Sequence, residues 1–343
     1  MKRRLTELHV QNFRSLRNVT IPLAPLNVLV GPNGSGKTGV LKVFRFLSDM
    51  ASKDEESKDK KRDGYWDAVL WSGGTPAEMR IGLKGTWTGF SSQAPDEYGL
   101  ELRPMADQII HYTTFQFKQF EGRGRRITLS MLGVFPGGRV IDESQESIIV
   151  KAKWINETKS RTTSADGQVG LAEFTDRLAS IRHIEVNTDL TGELVAALSV
   201  LRADGLTWEH LVEDARQVLP HLAGIDVEDP SGGAVSVVLH ERGLRHPTPL
   251  AKASDGTVRL LRLLATLHDP RPPALTCIDE IDRGIHPQAA ELLVERIREA
   301  SERTQFLITT HSPAFVDRLR PEELIVCKRG DDGASIIPAV GHL

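Results

Sequence analysis

Apolar positions along the chain follow two periods, and the alternation between them gives an order of elements. Residues 8–13 (Leu8-His9-Val10-Gln11-Asn12-Phe13) alternate roughly, and Leu26-Asn27-Val28-Leu29-Val30 is a short apolar run, so both predict strands. A glycine cluster follows at once. Beyond it Val40, Leu41, Val43, Phe44 and Leu47 recur at helical spacing. The opening order is strand, glycine-rich loop, helix. Residues 51–63 are almost wholly charged and read as a solvated loop. Segments 79–83, 98–102, 109–117 and 147–152 predict antiparallel strands with turns between them. The period changes from 170 to 222. Leu171, Phe174, Leu178 and Ile181 fit one helix, Leu190, Leu194, Leu198 and Leu201 another, and Trp208, Leu211 and Val218 a third. Then come a strand at 235–240, a strong helix at 254–267, a buried strand at 274–278, an amphipathic helix at 287–300 and a second buried strand at 305–309. No internal repeat and no long heptad array is present.

At ~150 residues per domain, 343 residues amount to about two domains or one composite one. With 40% hydrophobic and 26% charged residues the chain has ample core. No run approaches the ~18 apolar residues of a membrane span, and the basic start lacks the apolar stretch of a secretory signal. Two cysteines, Cys277 and Cys327, make no disulfide scaffold; they read as buried thiols in a reducing compartment, the cytoplasm. A net charge of −3 leaves DNA binding to a local patch. Arg123, Arg125 and Arg126 form the densest one, although arginines on an exposed β-turn are its plainer reading.

Gly31-Pro32-Asn33-Gly34-Ser35-Gly36-Lys37-Thr38 matches G-x-x-x-x-G-K-[ST]. Its glycines let the backbone curl so that successive N–H groups point inward at phosphate oxygens. The following helix offers its positive N-terminus to the same anion. Lys37 suits the β and γ phosphates, and the Thr38 hydroxyl suits Mg²⁺. Asn33, Gly34, Ser35 and Gly36 supply the cradle. A nucleoside triphosphate is the expected ligand.

Leu275-Thr276-Cys277-Ile278-Asp279-Glu280 is an apolar strand ending in two carboxylates. Neighbours on a strand point to opposite faces, so the two acids are expected to differ in role. Asp279 suits the Mg²⁺ shell, and Glu280 suits polarising the water that attacks the γ-phosphate. Leu307-Ile308-Thr309-Thr310-His311 is a second such strand and ends in a histidine where α/β proteins place ligands, which suggests a γ-phosphate sensor. Ser254-Asp255-Gly256-Thr257 is a well-capped helix start. It also has the makings of a second phosphate site, best used by another subunit's nucleotide.

In this order the motifs resemble an ABC-type ATPase head, an α/β P-loop NTPase with an antiparallel β lobe and a helical insertion. Ala253-Ser254-Asp255-Gly256-Thr257 resembles the signature, residues 275–280 Walker B, Asp282-Arg283-Gly284-Ile285-His286-Pro287 the D-loop, and His311 the switch histidine. Residues 5–16 resemble the opening strand of RecF- and SMC-like ATPases. The "SDGT", "GxHP" and "THSP" stretches resemble small prokaryotic AAA-family (RecF-like) ATPases. The likeness is specific over roughly 1–50 and 200–343 and weak across 51–200.

The resemblance implies ATP and Mg²⁺ as cofactors and a homodimer closing around two ATP molecules. It implies Lys37 and Thr38 on phosphate and metal, Asp279 supporting the metal, Glu280 as general base, Ser254, Asp255 and Gly256 acting in trans, Asp282 in the D-loop, His311 as sensor, and Arg14 reaching the nucleotide. Asp255 stands where transporters carry glycine, which fits the RecF-like group and counts against a transporter subunit. The Q-loop glutamine stays open among Gln116, Gln119, Gln145 and Gln168. Expected units are an N-terminal ATPase lobe at 1–165, a helical insertion at 166–225 and a C-terminal ATPase lobe at 226–343. Only 32 residues follow His311, too few for a fused nuclease domain. The resemblance implies a switch or sensor in phage defence, and the missing domain points to a separately encoded effector such as a nuclease. A DNA-binding repair ATPase is the alternative, and no membrane partner is expected.

Overall fold

The structure, a computed structural model, describes residues 3–51, 78–88, 91, 94–105, 108–118, 126–136, 173–185, 191–228 and 235–337. Strands are numbered in chain order. The alternating segments form a six-stranded antiparallel sheet from β1 (Leu5–Phe13), β2 (Leu16–Pro22), β4 (Met79–Gly85), β5 (Asp96–Met105), β6 (Gln108–Phe117) and β7 (Ile127–Pro136), ordered β2-β1-β4-β5-β6-β7. On β4 the buried residues are Met79, Ile81, Leu83 and Gly85, the period of a sheet covered on one face.

The apolar runs form a separate, wholly parallel sheet. It comprises β3 (Leu26–Val30), β8 (Arg182–Ile184), β12 (Leu275–Ile278), β13 (Gln305–Thr310) and β14 (Leu324–Val326), ordered β14-β3-β13-β12-β8. Every residue of β12 and β13 is buried, as strands covered on both faces must be. A small antiparallel sheet joins β9 (Leu222–Glu228), β10 (Ser236–Glu241) and β11 (Thr248–Pro249), and β15 (Lys328–Arg329) pairs with β16 (Ser335–Ile336).

The α-helices among the described residues are α1 (Lys37–Ala51), α2 (173–179), α3 (Thr191–Arg202), α4 (Gly205–Val218), α5 (Asp255–Leu267), α6 (Ala289–Ser301) and α7 (Pro313–Val316). Two cores lie on either side of the parallel sheet. Phe13, Phe44 and Leu307 belong to the core shared with α1 and the antiparallel sheet. Leu198, Leu264 and Ile308 belong to the core under α3 to α6. Adjacent Leu307 and Ile308 thus serve opposite layers. Gln305 ties the two large sheets together: its Oε1 accepts the Leu5 N–H at 2.7 Å and its Nε2 donates to the Leu5 carbonyl at 2.8 Å. No helix among the described residues is long and apolar enough to cross a membrane.

The parallel register aligns strand ends. Val30 lies beside Thr310 and Val326, while Ile278 lies beside Ile308 and Ile184. The residues that follow, Gly31, His311, Asp279 and Glu185, therefore emerge at one edge, where open α/β sheets hold ligands.

Several elements depart from the sequence expectation. β2 follows β1 after a two-residue turn, its alternation carried by buried Leu16, Val19 and Ile21. The helical run expected over 170–222 is interrupted by β8, whose ladder comes from β12. β7, β9 and β11 are further strands that local periodicity did not mark. Residues 52–63 of the charged stretch and the strand expected at 147–152 lie outside the described residues.

Candidate nucleotide site

Asn33, Gly34, Ser35 and Gly36 form the bend that carries the chain from β3 into α1. At Gly31 the backbone has φ +149, and a Cβ there would lie 2.1 Å from the Cys327 carbonyl oxygen. Gly31→Ala is therefore expected to destabilise the fold by about 2–3 kcal/mol. The check is a lower denaturant midpoint together with weaker nucleotide binding.

Lys37, only 5% exposed, donates through Nζ to the carbonyls of Gly31 at 2.7 Å and Pro32 at 2.9 Å. Burial pulls its pKa below the ordinary lysine value, against the attraction of nearby anionic groups including Asp279 and Glu280. Ser35 Oγ is buried and has no hydrogen-bond partner among the described residues. A buried cation resting on carbonyls and an orphaned hydroxyl in one loop are groups that phosphate oxygens satisfy.

The Thr38 hydroxyl lies 3.2 Å from both carboxylate oxygens of Asp279, and Thr309 Oγ1 donates to Asp279 Oδ1 at 2.6 Å. One hydroxyl and one carboxylate beside that loop are hard oxygen donors of the kind Mg²⁺ takes. Asp279 and Glu280 both follow β12 rather than ending within it. They are separated by a left-handed backbone at Glu280 (φ +47), not by strand alternation. The Glu280 N–H donates to Thr309 Oγ1 at 2.7 Å, and its carboxylate lies 3.2 Å from Arg283.

Thr38, Asp279 and Glu280 line a cavity of about 260 Å³ with Arg45, His183 and Arg283. Burial, reinforced by Arg45, pushes the His183 imidazole down to about 3, and its Nε2 is buried without a partner among the described residues. His183 and Arg45 were not singled out in the sequence. Arg45 had a signal, since Thr38, Leu41 and Arg45 recur on one face of α1. His183 had none beyond a three-residue strand.

His311 lies just past β13 on the same edge, exposed and outside that cavity. Asp282 pins its loop: one carboxylate oxygen accepts the Thr310 hydroxyl at 2.5 Å and the His311 N–H at 3.2 Å. Ser254 caps α5, its Oγ accepting the Thr257 N–H at 3.2 Å. Ser254 and Asp255 are exposed, and neither they nor Gly256 line the cavity. Arg14 occupies the turn between β1 and β2 with φ +51, and its Nε is buried without a partner among the described residues. The turn abuts the phosphate loop through Ser335, whose Oγ lies 2.8 Å from Ser15 Oγ and would lie 2.1 Å from a Cβ at Gly36. Of the glutamines, Gln116 sits on β6 in the antiparallel sheet; Gln119, Gln145 and Gln168 lie outside the described residues. So do Arg123 and Arg125, while Arg126 is paired with Glu97 at 2.5 Å.

A solved SMC head, bound to the C-winged helix domain of ScpA, shares this fold: TM-score 0.57 at 15% identity, covering 98% of this chain and 97% of that one. Residues 1–71 match the AAA ATPase domain model, and residues 161–317 match the AAA domain model described as putative AbiEii toxin, Type IV TA system. The chain is 20% identical over 395 residues to the Retron Vc95 probable ATPase of Vibrio cholerae serotype O1 biovar El Tor, covering 96% of this chain and 74% of that protein. It is 26% identical over 208 residues to the DNA replication and repair protein RecF of Shewanella sediminis (strain HAW-EB3), covering 57% of this chain and 55% of that protein. The matched models and relatives are those of ATPases, and they support an ABC-type, RecF/SMC-like ATPase. The edge that gathers residues 31–38, Asp279, Glu280 and His311 is the edge at which open α/β sheets hold ligands. The orphaned Ser35 hydroxyl and carbonyl-bound Lys37 are the observations that fit a triphosphate there.

Proposed function

We propose that this chain is an ATP-driven switch. Two copies close around two ATP molecules, each held between residues 31–38 of one copy and the Ser254 loop of the other, and hydrolysis opens the pair. The observation that carries this reading is the placement of Ser254, Asp255 and Gly256. They form a helix start with the groups to bind phosphate, yet they do not line the cavity of their own chain that holds Thr38, Asp279 and Glu280. A second copy's nucleotide suits them.

Within one copy Lys37 leaves the carbonyls of Gly31 and Pro32 for phosphate oxygens. Thr38 and Asp279 would hold Mg²⁺, which would supply positive charge against the charge developing on the transferred phosphoryl group. Glu280 takes a proton from the attacking water as ATP and water become ADP and phosphate. His311, held by Asp282, contacts the γ-phosphate, and Arg14 contacts the nucleotide from the β1–β2 turn.

In this reading residues 1–165 and 226–343 are the lobes of one cytoplasmic head, and 166–225 offers helices to a separately encoded effector such as a nuclease. The relationship to a retron ATPase supports a defence role. The test is mass in solution for Glu280→Gln with and without ATP. A dimer that appears only with ATP is expected, and a persistent monomer would sink the switch. Co-expression with the neighbouring gene product tests the effector: a complex is expected, and an ATPase that purifies alone counts against that half. The RecF relationship favours DNA as the second reading. ATPase activity stimulated by DNA, with binding that weakens steeply as salt rises, would establish it.

A further inference from the structure

The left-handed backbone at Glu280 has to be held. A non-glycine residue at φ +47 is disfavoured and persists only where its surroundings over-determine it. Thr309 fixes one side by accepting the Glu280 N–H. Arg259, on α5, fixes the rest. Its Nη2 donates to the carbonyl oxygen of Asp279 at 2.9 Å and to that of Glu280 at 2.5 Å. Those oxygens belong to the two peptide planes on either side of the Glu280 Cα, so one guanidinium nitrogen sets the angle between them. The Nε of Arg259 is buried without a partner among the described residues, so this cation sits there for its two main-chain contacts.

Arg259 lies five residues beyond Ser254 on the same helix. The start of that helix touches the same loop a second time: a Cβ at Gly256 would lie 2.7 Å from the Gly284 carbonyl oxygen. The first turns of α5 and the loop over 279–284 are thus fastened at two points, with Ser254 and Asp255 exposed at the tip.

We propose that Arg259 is a positioning residue that locks Glu280 in its left-handed conformation and fastens it to the helix start at Ser254, so that seating a second copy's nucleotide on Ser254 and aligning Glu280 become one event. This rests on the ATP-dependent pairing proposed above. The link is a packed hydrogen-bonded contact between two elements, and no longer chain of residues is needed to carry it. A small shift of α5 breaks bonds of this length and frees Glu280 to leave the left-handed region.

Arg259→Met removes both donors and keeps an apolar stem. Arg259→Lys keeps the charge and one donating nitrogen, on a stem one atom shorter than the reach to Nη2. Turnover and ATP affinity are measured for each, and ATP-dependent mass is measured with Glu280→Gln added. Arg259→Met is expected to lower kcat roughly 30- to 100-fold, with ATP affinity and ATP-dependent assembly unchanged. Arg259→Lys is expected to recover part of the loss. Unchanged kcat in both variants would overturn the proposal. So would a joint fall in affinity, assembly and melting temperature, since that is what a merely structural residue produces. If Glu280→Gln alone stays monomeric with ATP, the pairing itself fails. A kcat loss at unchanged affinity would then support the hold on Glu280 and overturn its link to Ser254.

Discussion

Lys37→Ala is expected to lower ATP affinity by a factor of about 10²–10³. The free protein shows why the loss is large. The Lys37 ammonium is buried, and its visible bonds go to the carbonyls of Gly31 and Pro32. Phosphate oxygens replace those neutral acceptors with anionic ones, and a hydrogen bond between charged groups is worth about 1.5–3 kcal/mol. Two such bonds together account for the affinity factor above. Alanine also leaves the two carbonyls without their cation, but it removes the cost of burying the charge, so the change in fold stability is expected to stay within about 1 kcal/mol. Lys37→Met separates charge from volume: it fills the stem's space and should bind ATP as poorly as alanine does. Titration with a fluorescent ATP analogue checks both. Affinity within a few-fold of the parent would place the phosphates elsewhere.

How far this site could be read from the chain alone depends on where each part keeps its information. The phosphate loop is written in contiguous residues: glycine backbone freedom, one lysine and one threonine between a strand and a helix. The Asp279 strand is Leu275, Thr276, Cys277 and Ile278 followed by acids, and burial of all four follows from its place inside a parallel sheet. β8 is different. Three residues, Arg182, His183 and Ile184, carry no period, and they become a strand because β12 offers them a ladder. The left-handed turn at Glu280 was invisible because no glycine marks it. It is imposed by Arg259 and Thr309, which are 21 and 29 residues away in sequence. Arg259 itself was not singled out in the sequence. β2 was passed over because Arg17, Asn18 and Thr20 fill its outward positions and leave only Leu16, Val19 and Ile21 as its apolar series.

Asp214→Ala should cost about 3–5 kcal/mol of stability, through a network far from any nucleotide. Asp214 sits on α4 with only 2% of its surface exposed. Its carboxylate accepts His268 Nε2 at 2.7 Å from just beyond α5, and Arg296 of α6 in a two-point contact at 2.7 and 3.0 Å. One carboxylate therefore bonds α4 to the end of the helix that starts at the Ser254 loop and to the helix after the acidic pair. Burial works to raise the Asp214 pKa, and the hydrogen bonds from His268 and Arg296 outweigh it, leaving the group below its ordinary value of 3.8. A carboxyl with a depressed folded pKa stabilises fully above its unfolded value and loses that contribution as pH falls through the folded one. The stability gap between the parent chain and Asp214→Asn, which keeps the shape but cannot ionise, should be flat at neutral pH. It should narrow only in acid, below about pH 3.8. Denaturant midpoints across pH test this. A gap that closes between pH 5 and 8 would assign the stabilisation to a histidine instead. The alanine variant carries the further consequence for function, because α4, α5 and α6 lose their shared anchor together. Loosening at α5 then reaches Ser254 and Arg259 at once, so the variant should lose turnover under conditions where it is still folded.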